Sequence, residues 1–423
     1  MFLWLAPESS LWASITPGSM KKIPALLLCL GLIWACQHPD IEYADFDTFK
    51  VTSTKCSDAF MPDGALNPEF TYLEDNDEPD TKLAKTTGVE VARNLIGNIC
   101  CNSLVHIAGT YQGHDIDGNP ITLSGKIVLP KSGDIKNMIL VSHFTIGSNP
   151  ECPSEAFPLE ALLATKGYAV VIADYIGFGV TKSRIHPYMH VESTARAVVD
   201  MGLAVKPYLE HIGRKPISNE VILFGYSQGG STTLGVMKII QRECWDKLPI
   251  MKVYAGAGPY DLAATYDVSL EEDHTGIPCA IPMIVQGVSI GENLGLDMKV
   301  FFKSPLLDNY DEWINSKEYT VKQINNLIGF KNVSEILTEE GRNKANPQTA
   351  KLYKALMLNS VLNFKPKAPI HMFHSTVDKT VPFVNSQKAE IYFKGQNVSY
   401  DFAPYGAHGT GFIHFIIKVT KEL

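Results

Sequence analysis

From Leu104 onward the apolar positions come in short blocks, separated by turn residues and by longer stretches with helical spacing. Leu104–Gln112 and Pro120–Leu129 flank Asp117-Gly118-Asn119, which predicts a hairpin, because Asp, Gly and Asn readily adopt the backbone angles of a tight reversal. Met138–His143 predicts a third strand. Strands and helices then alternate. Leu159–Thr165 predicts a helix, Tyr168–Tyr175 a strand of Ala, Val and Ile, and Val191–His211 a long helix. A strand from Val221 leads into a helix over Ser231–Cys244, with Leu234, Met237 and Ile240 on one side. Met251–Ala255, Ile370–His374 and Val398–Phe402 are further strands, and Asn385–Phe393 and Gly409–Thr420 are helices. Continuously apolar strands alternating with helices predict a mostly parallel sheet covered on both faces.

Two stretches break this rhythm. Asp261–Lys367 lacks a strand pattern, is too long for a loop, and holds amphipathic segments at Leu294–Phe302, Val321–Leu327 and Thr349–Asn359. It predicts a helical cap, or lid, inserted above the carboxyl edge of a core formed by residues 104–260 and 368–423. A side domain with no part in substrate choice is the alternative. At the amino end, Met20-Lys21-Lys22 precedes the Leu- and Ile-rich run Ile23–Ile33, too short to cross a bilayer and flanked like a signal peptide. The run ends Ile33-Trp34-Ala35-Cys36, similar to the lipobox of bacterial lipoproteins, in which Cys36 would be lipidated. An ordinary secretory signal with an incidental Cys36 is the alternative. Met20 then reads as the start, residues 1–36 as a leader, and residues 37–103 as a tether and extension. Within that extension, residues 37–80 are polar, acidic and loosely ordered, and Thr81–Ile99 predicts a helix.

Composition adds the setting. At 423 residues with 45% hydrophobic and 19% charged positions, the chain is an ordinary globular protein with a sizeable core. A net charge of −8 argues against nucleic acid as a partner. No P-loop, dinucleotide fingerprint, paired Cys-x-x-Cys or His-Glu-x-x-His is present, so neither cofactor nor metal is expected. A leader places the mature chain outside the cytoplasm, either secreted or in a bacterial cell envelope, with the membrane reached only through the Cys36 anchor. In that compartment Cys56, Cys100, Cys101, Cys152, Cys244 and Cys279 can pair, but six cysteines allow fifteen connectivities and the sequence does not choose among them. Cys100 and Cys101, being adjacent, fit disulfide geometry poorly.

The chemistry centres on Gly225-Tyr226-Ser227-Gln228-Gly229, a G-x-S-x-G match between a strand and a helix. In that setting the turn forces the serine into a strained backbone geometry, and the small residues at Gly225 and Gly229 give it room. Ser227 would stand above the sheet at the positive end of the helix. A serine hydroxyl needs a histidine to take its proton and an acid to orient that histidine. Asp378, after the Ile370 strand, and His408, after the Val398 strand, occur in the order this arrangement requires. Asp261 is the next-best acid, His414 reads as a packing residue, and His371 and His374 read as structural. His186, His190 and His211 match no metal-site spacing. Oxyanion stabilisation is assigned to the backbone N–H groups of Gln228 and Thr145, with Phe144 as the alternative to Thr145.

Together these stretches resemble the secretory lipase branch of the α/β-hydrolases: S-H-F-T-I-G from Ser142, G-Y-A-V-V-I-A-D-Y-I-G-F-G from Gly167, H-P-Y-M-H from His186 and G-Y-S-Q-G-G from Gly225. The resemblance runs from about Leu104 to the carboxyl terminus. It implies the α/β-hydrolase fold, a helical lid before the last two strands, a Ser227-Asp378-His408 triad, and hydrolysis of lipid or other carboxylic esters, with the apolar face of the cap lining an acyl pocket. Asp174 and Tyr175 match a family stretch near the site, and holding a loop in shape is an equal reading of them. A prolyl-peptidase-type serine peptidase and a non-catalytic ligand-binding lipoprotein are the alternatives.

Overall fold

Four strands are buried at every position: β4 (Met138–Ser142), β5 (Ala169–Ala173), β6 (Val221–Tyr226) and β8 (Ile370–Ser375). Strands buried along their whole length require both faces of the sheet to be covered. With β1 (Asp47–Thr54), β2 (Leu104–His114), β3 (Pro120–Pro130), β7 (Ile250–Gly256) and β9 (Val398–Ala403) they form a nine-stranded sheet in the order β1-β2-β3-β5-β4-β6-β7-β8-β9. Strands β1, β2, β3 and β5 pair antiparallel, and from β5 through β9 every pairing is parallel. This computed structural model describes residues 46–54, 104–156 and 158–423, which fall within one compact unit spanning Tyr43–Leu423. The leader, Cys36, the expected helix over Thr81–Ile99, and Cys56, Cys100 and Cys101 lie outside the described residues.

Alternate residues of the central strands feed two separate cores. Leu140, Val171, Leu223 and Met372 meet helices α1 (Val191–His211) and α2 (Gln228–Ile239) on one face. Ile139, Ile172, Phe224 and Phe373 meet the last helix on the other, where Phe412, Phe415 and Ile416 project. Between β7 and β8 the chain is helical, apart from one isolated bridge between Phe302 and Leu337. Its principal helices are α3 (Leu262–Glu271), α4 (Ala280–Gly291), α5 (Val321–Ile328) and α6 (Pro347–Leu358), and they enclose a third apolar cluster that includes Val288, Phe301, Ile324 and Leu352. Helices α7 (Val384–Tyr392) and α8 (His408–Glu422) complete the chain.

Three local expectations change. Part of the stretch read as a loosely ordered lead-in is β1, which pairs along β2 from Asp47↔Thr110 to Thr54↔Leu104, with Phe46 buried at its start and its ring 5.0 Å from that of Tyr208. Its sequence, with three Thr, one Val and one Phe, suits an edge strand, but the acidic surroundings hide it. The expected helix over Leu159–Thr165 is a 3₁₀ segment, Leu159–Lys166, closed by Gly167 at φ 89°. Helix α2 begins at Gln228, not Ser231, and gives way to a π-helical turn over Ile240–Cys244. Cys152, Cys244 and Cys279 are buried and unpaired.

Phe415 is fully buried, its ring 5.2 Å from that of Phe224 and 5.7 Å from that of Phe373. Phe415→Ala should therefore lower the unfolding free energy by about 3–5 kcal/mol, measurable by urea denaturation.

Candidate active site

The turn after β6 reverses the chain within one residue. Ser227 sits at φ 58°, ψ −127°, a region that L-residues occupy only under constraint, and α2 starts at the next residue. A side chain at Gly229 would collide with the Ser142 carbonyl of β4, and one at Gly225 with the Gly229 carbonyl and Thr233 Oγ1. Both glycines are required by contact, as the motif implies. The Ser227 N–H donates to the Gly256 carbonyl of β7 (3.0 Å), which ties the strained residue to the neighbouring strand.

Two later loops arrive above this turn. Past β8, Asp378 Oδ1 accepts the N–H groups of Thr380 (2.8 Å) and Val381 (2.9 Å). Its Oδ2 accepts from His408 Nδ1 at 2.6 Å, and His408 Nε2 lies 2.8 Å from Ser227 Oγ. Burial pushes the Asp378 carboxyl up, but the adjacent His408 and the hydrogen bonds from His374 and His408 outweigh it and hold the group well below the usual carboxylate range. His408 opens α8, where its carbonyl accepts the Tyr226 hydroxyl at 2.7 Å. Ser227, Asp378 and His408 are thus brought together in one chain of contacts.

The competing residues are engaged elsewhere. Asp261 caps α3 through the Ala264 N–H (3.0 Å) and pairs with Lys388 Nζ (2.7 Å). His414 packs its ring edge-on to Tyr405, and His371 Nδ1 meets Ser399 Oγ at 2.9 Å. His374, expected to be purely structural, lies 3.3 Å from Asp378 Oδ2. His190 and His211 stand at opposite ends of α1, and among the described residues no cluster suited to a metal ion exists.

The loop after β4 is fixed by buried polar contacts. His143 stacks on Tyr175 with ring centroids 3.9 Å apart and donates Nδ1–H to the Phe144 carbonyl (2.6 Å). Thr145 Oγ1 and the Tyr188 hydroxyl are 2.6 Å apart. Glu151 accepts the N–H groups of Gly147 (3.0 Å) and Ser148 (2.8 Å). As the first residue of α2, Gln228 has an N–H with no acceptor in its own helix. Its side-chain amide faces His186 Nε2 at 3.4 Å, while His186 Nδ1–H donates to the Ile176 carbonyl at 2.7 Å. Asp174 and Tyr175 brace this floor: Asp174 accepts from Ser124 Oγ (2.6 Å) and the Ser154 N–H (2.8 Å), and the Tyr175 hydroxyl donates to the His143 carbonyl (3.2 Å). Tyr188 and Tyr226 lie within the H-P-Y-M-H and G-Y-S-Q-G stretches, but nothing in those stretches marks the contacts their hydroxyls make with Thr145 and the His408 carbonyl.

A family model for secretory lipases matches residues 153–421. The chain belongs to the secretory lipase family. Among curated relatives, Lipase 6 of Candida albicans is 24% identical over 304 residues, covering 66% of this chain and 62% of the relative, so the match spans less than two thirds of that protein. Among solved structures, the rice cell wall degrading esterase LipA of Xanthomonas oryzae superposes with a TM-score of 0.64 at 20% identity, covering 89% of this chain and 95% of that one. Candida antarctica lipase A gives 0.55 at 17% identity, with 74% of each chain covered. Shared with these lipases and esterases is the α/β-hydrolase fold.

The polar floor carries a pH consequence. Burial lowers His186 from 6.5 to about 3 and His143 to about 4, so both are neutral in the folded protein at neutral pH. The unfolded chain takes up a proton at position 186 near pH 6.5, whereas the folded chain does so only near pH 3. Stability is therefore unaffected by this residue above pH 6.5 and falls as the pH drops below it. In His186→Gln the fall in unfolding free energy between pH 6 and pH 4 should be shallower by about 1 kcal/mol per pH unit, read from urea melts at several pH values.

Proposed function

We propose that this chain is an exported serine hydrolase that cleaves carboxylic esters through an acyl-enzyme, with Ser227, His408 and Asp378 as the triad. The observation that carries the reading is one imidazole held between Asp378 Oδ2 at 2.6 Å and Ser227 Oγ at 2.8 Å. Ser227 Oγ attacks the ester carbonyl as its proton passes to His408 Nε2, giving a tetrahedral oxyanion. The N–H groups of Gln228 and Thr145 receive that negative oxygen, and the amino end of α2 adds favourable dipole charge. His408 then gives its proton to the leaving alcohol oxygen, and the acyl group stays on Ser227. Water attacks next, its proton taken by His408. When the second tetrahedral species collapses, the carboxylic acid leaves and the proton returns to Ser227 Oγ. Asp378 keeps the imidazole in the tautomer that accepts at Nε2 and stabilises the imidazolium that forms.

Membership of the secretory lipase family supports ester hydrolysis over amide cleavage. The helical segment over residues 261–367 serves as the cap, and its apolar helices face the acyl chain. A small apolar cavity of about 50 Å³ lies within this segment between α3, α4 and α6, bordered by Leu262, Ile281, Ile284 and Leu352. Residues 1–36 act as a leader, and Cys36 anchors the mature protein by lipidation on the outer side of a membrane. No described helix is long and apolar enough to cross a membrane.

Ser227→Ala should reduce p-nitrophenyl ester turnover by at least about 10³-fold, abolish labelling by a fluorophosphonate probe, and leave the thermal melt in place. Undiminished turnover would refute the assignment. Parallel assays on prolyl-peptide amides separate an esterase from a peptidase, which would prefer the amides.

A further inference from the structure

His374 is fully buried at the end of β8, four residues before Asp378. Its ring has three polar neighbours from different parts of the chain. Nδ1 lies 2.7 Å from Ser386 Oγ on α7, and Nε2 lies 3.0 Å from the Val381 carbonyl and 3.3 Å from Asp378 Oδ2. Carbonyl and carboxylate oxygens only accept, so Nε2 must carry a hydrogen, shared between them with the carbonyl the nearer. In the neutral ring Nδ1 then accepts from the Ser386 hydroxyl, which can donate. The ring of Phe383 packs against that of His374 in a T-shaped arrangement, with centroids 5.6 Å apart. Of the two Asp378 oxygens, Oδ1 is anchored by the Thr380 and Val381 N–H groups, and Oδ2 is approached by two imidazoles from opposite elements.

We propose that His374 is a positioning residue of the triad: its Nε2–H shares Asp378 Oδ2 with His408 Nδ1–H, and so fixes both the orientation of His408 and how firmly it holds a proton. The inference rests on the triad reading given above. A carboxylate oxygen with a second donor offers less charge to His408, so the imidazolium is less stabilised and the ring stays neutral, able to accept from Ser227, to lower pH. Asp378 meets His374 from β8 and His408 from α8, and His408 meets Ser227 and the ring of Tyr226, 5.1 Å away by centroids. Lys379, next in sequence to Asp378, points to solvent.

Two amides separate the donor from the bulk of the ring. In His374→Asn the amide nitrogen falls near the place of Nδ1, keeping a partner in Ser386 but not reaching Asp378. In His374→Gln it falls near the place of Nε2. Wild type and both variants are first labelled with the fluorophosphonate probe, then assayed for kcat and KM on a p-nitrophenyl ester from pH 5 to 9. In His374→Asn the acid-limb midpoint of kcat/KM should rise by about 0.5–1 pH unit, with kcat down about tenfold and KM within about twofold. His374→Gln should restore the midpoint to within about 0.3 pH unit. A wild type that labels, with the midpoint unmoved in a folded His374→Asn, overturns the inference and leaves the triad reading intact. A wild type that does not label overturns both. A purely structural His374 would lower the melting temperature in both variants and move no midpoint. Independently of any variant, long-range ¹H–¹⁵N NMR of the wild-type protein at neutral pH should show His374 with its proton on Nε2; the Nδ1–H tautomer would overturn the inference.

Discussion

The close approach of α2 to β4 governs the rest of the site. With Gly229 against the Ser142 carbonyl, helix and strand come nearer than any side chain would allow, and β6 can turn into α2 only through a residue at positive φ. That residue is Ser227. Strain of this kind costs on the order of 1–3 kcal/mol and persists only where the surroundings over-determine it. Here they do: Leu223 and Phe224 are buried in the cores on opposite faces of the sheet, and the Ser227 N–H is taken by β7. The hydroxyl is consequently delivered to one place, where a histidine 181 positions away in sequence can meet it.

Around that point the protein buries polar groups that would be costly if left without partners, and pairs them instead. Asp174 takes Ser124 and Ser154, Tyr175 takes the His143 carbonyl, Thr145 takes Tyr188, and Gln228 faces His186. Each pair bridges two segments, so the loop after β4 cannot shift without leaving a donor or acceptor bare. His143 and His186 contribute as neutral rings, held so by burial, which suits them to hydrogen bonding and stacking and keeps extra positive charge away from His408.

The parts of this architecture fixed by local rules are legible in the chain. The apolar runs at Met138, Ala169 and Val221, with the mixed but buried strand at Ile370, give the parallel sheet, and the glycines flanking Ser227 give the turn, because both signals lie within a few consecutive residues. Asp378 and His408 are legible by order, since each follows a strand end. What the chain does not display is pairing at a distance. β1 is a strand because β2 offers an open edge, while its own sequence is polar and sits in an acidic stretch. Tyr188 and Tyr226 lie in the quoted motifs, but their hydroxyls gain their roles from partners 43 and 182 residues away, which the motifs do not reveal. His374 reads as a strand residue, which it is; only the turn that folds Asp378 back over the strand end brings its ring to the carboxylate.

Long-range pairing also joins the helical segment after β7 to the loop after β4. Lys317 is buried, its ammonium donating to the Lys182 carbonyl at 2.8 Å and to that of Arg184, while its own carbonyl accepts the Asn149 N–H at 2.8 Å. Close by, Gly147 leaves no room for a side chain against the backbone of Tyr319–Val321, and Thr320 there caps α5 with Gln323 completing the box. Lifting this corner would break three hydrogen bonds and strip a buried cation of its acceptors, which costs free energy unless water replaces them. The segment and the loop that carries Thr145 are therefore tied together at this edge. If the segment serves as the proposed cap, this edge is where it is tied most firmly to the loop that carries the proposed oxyanion donor.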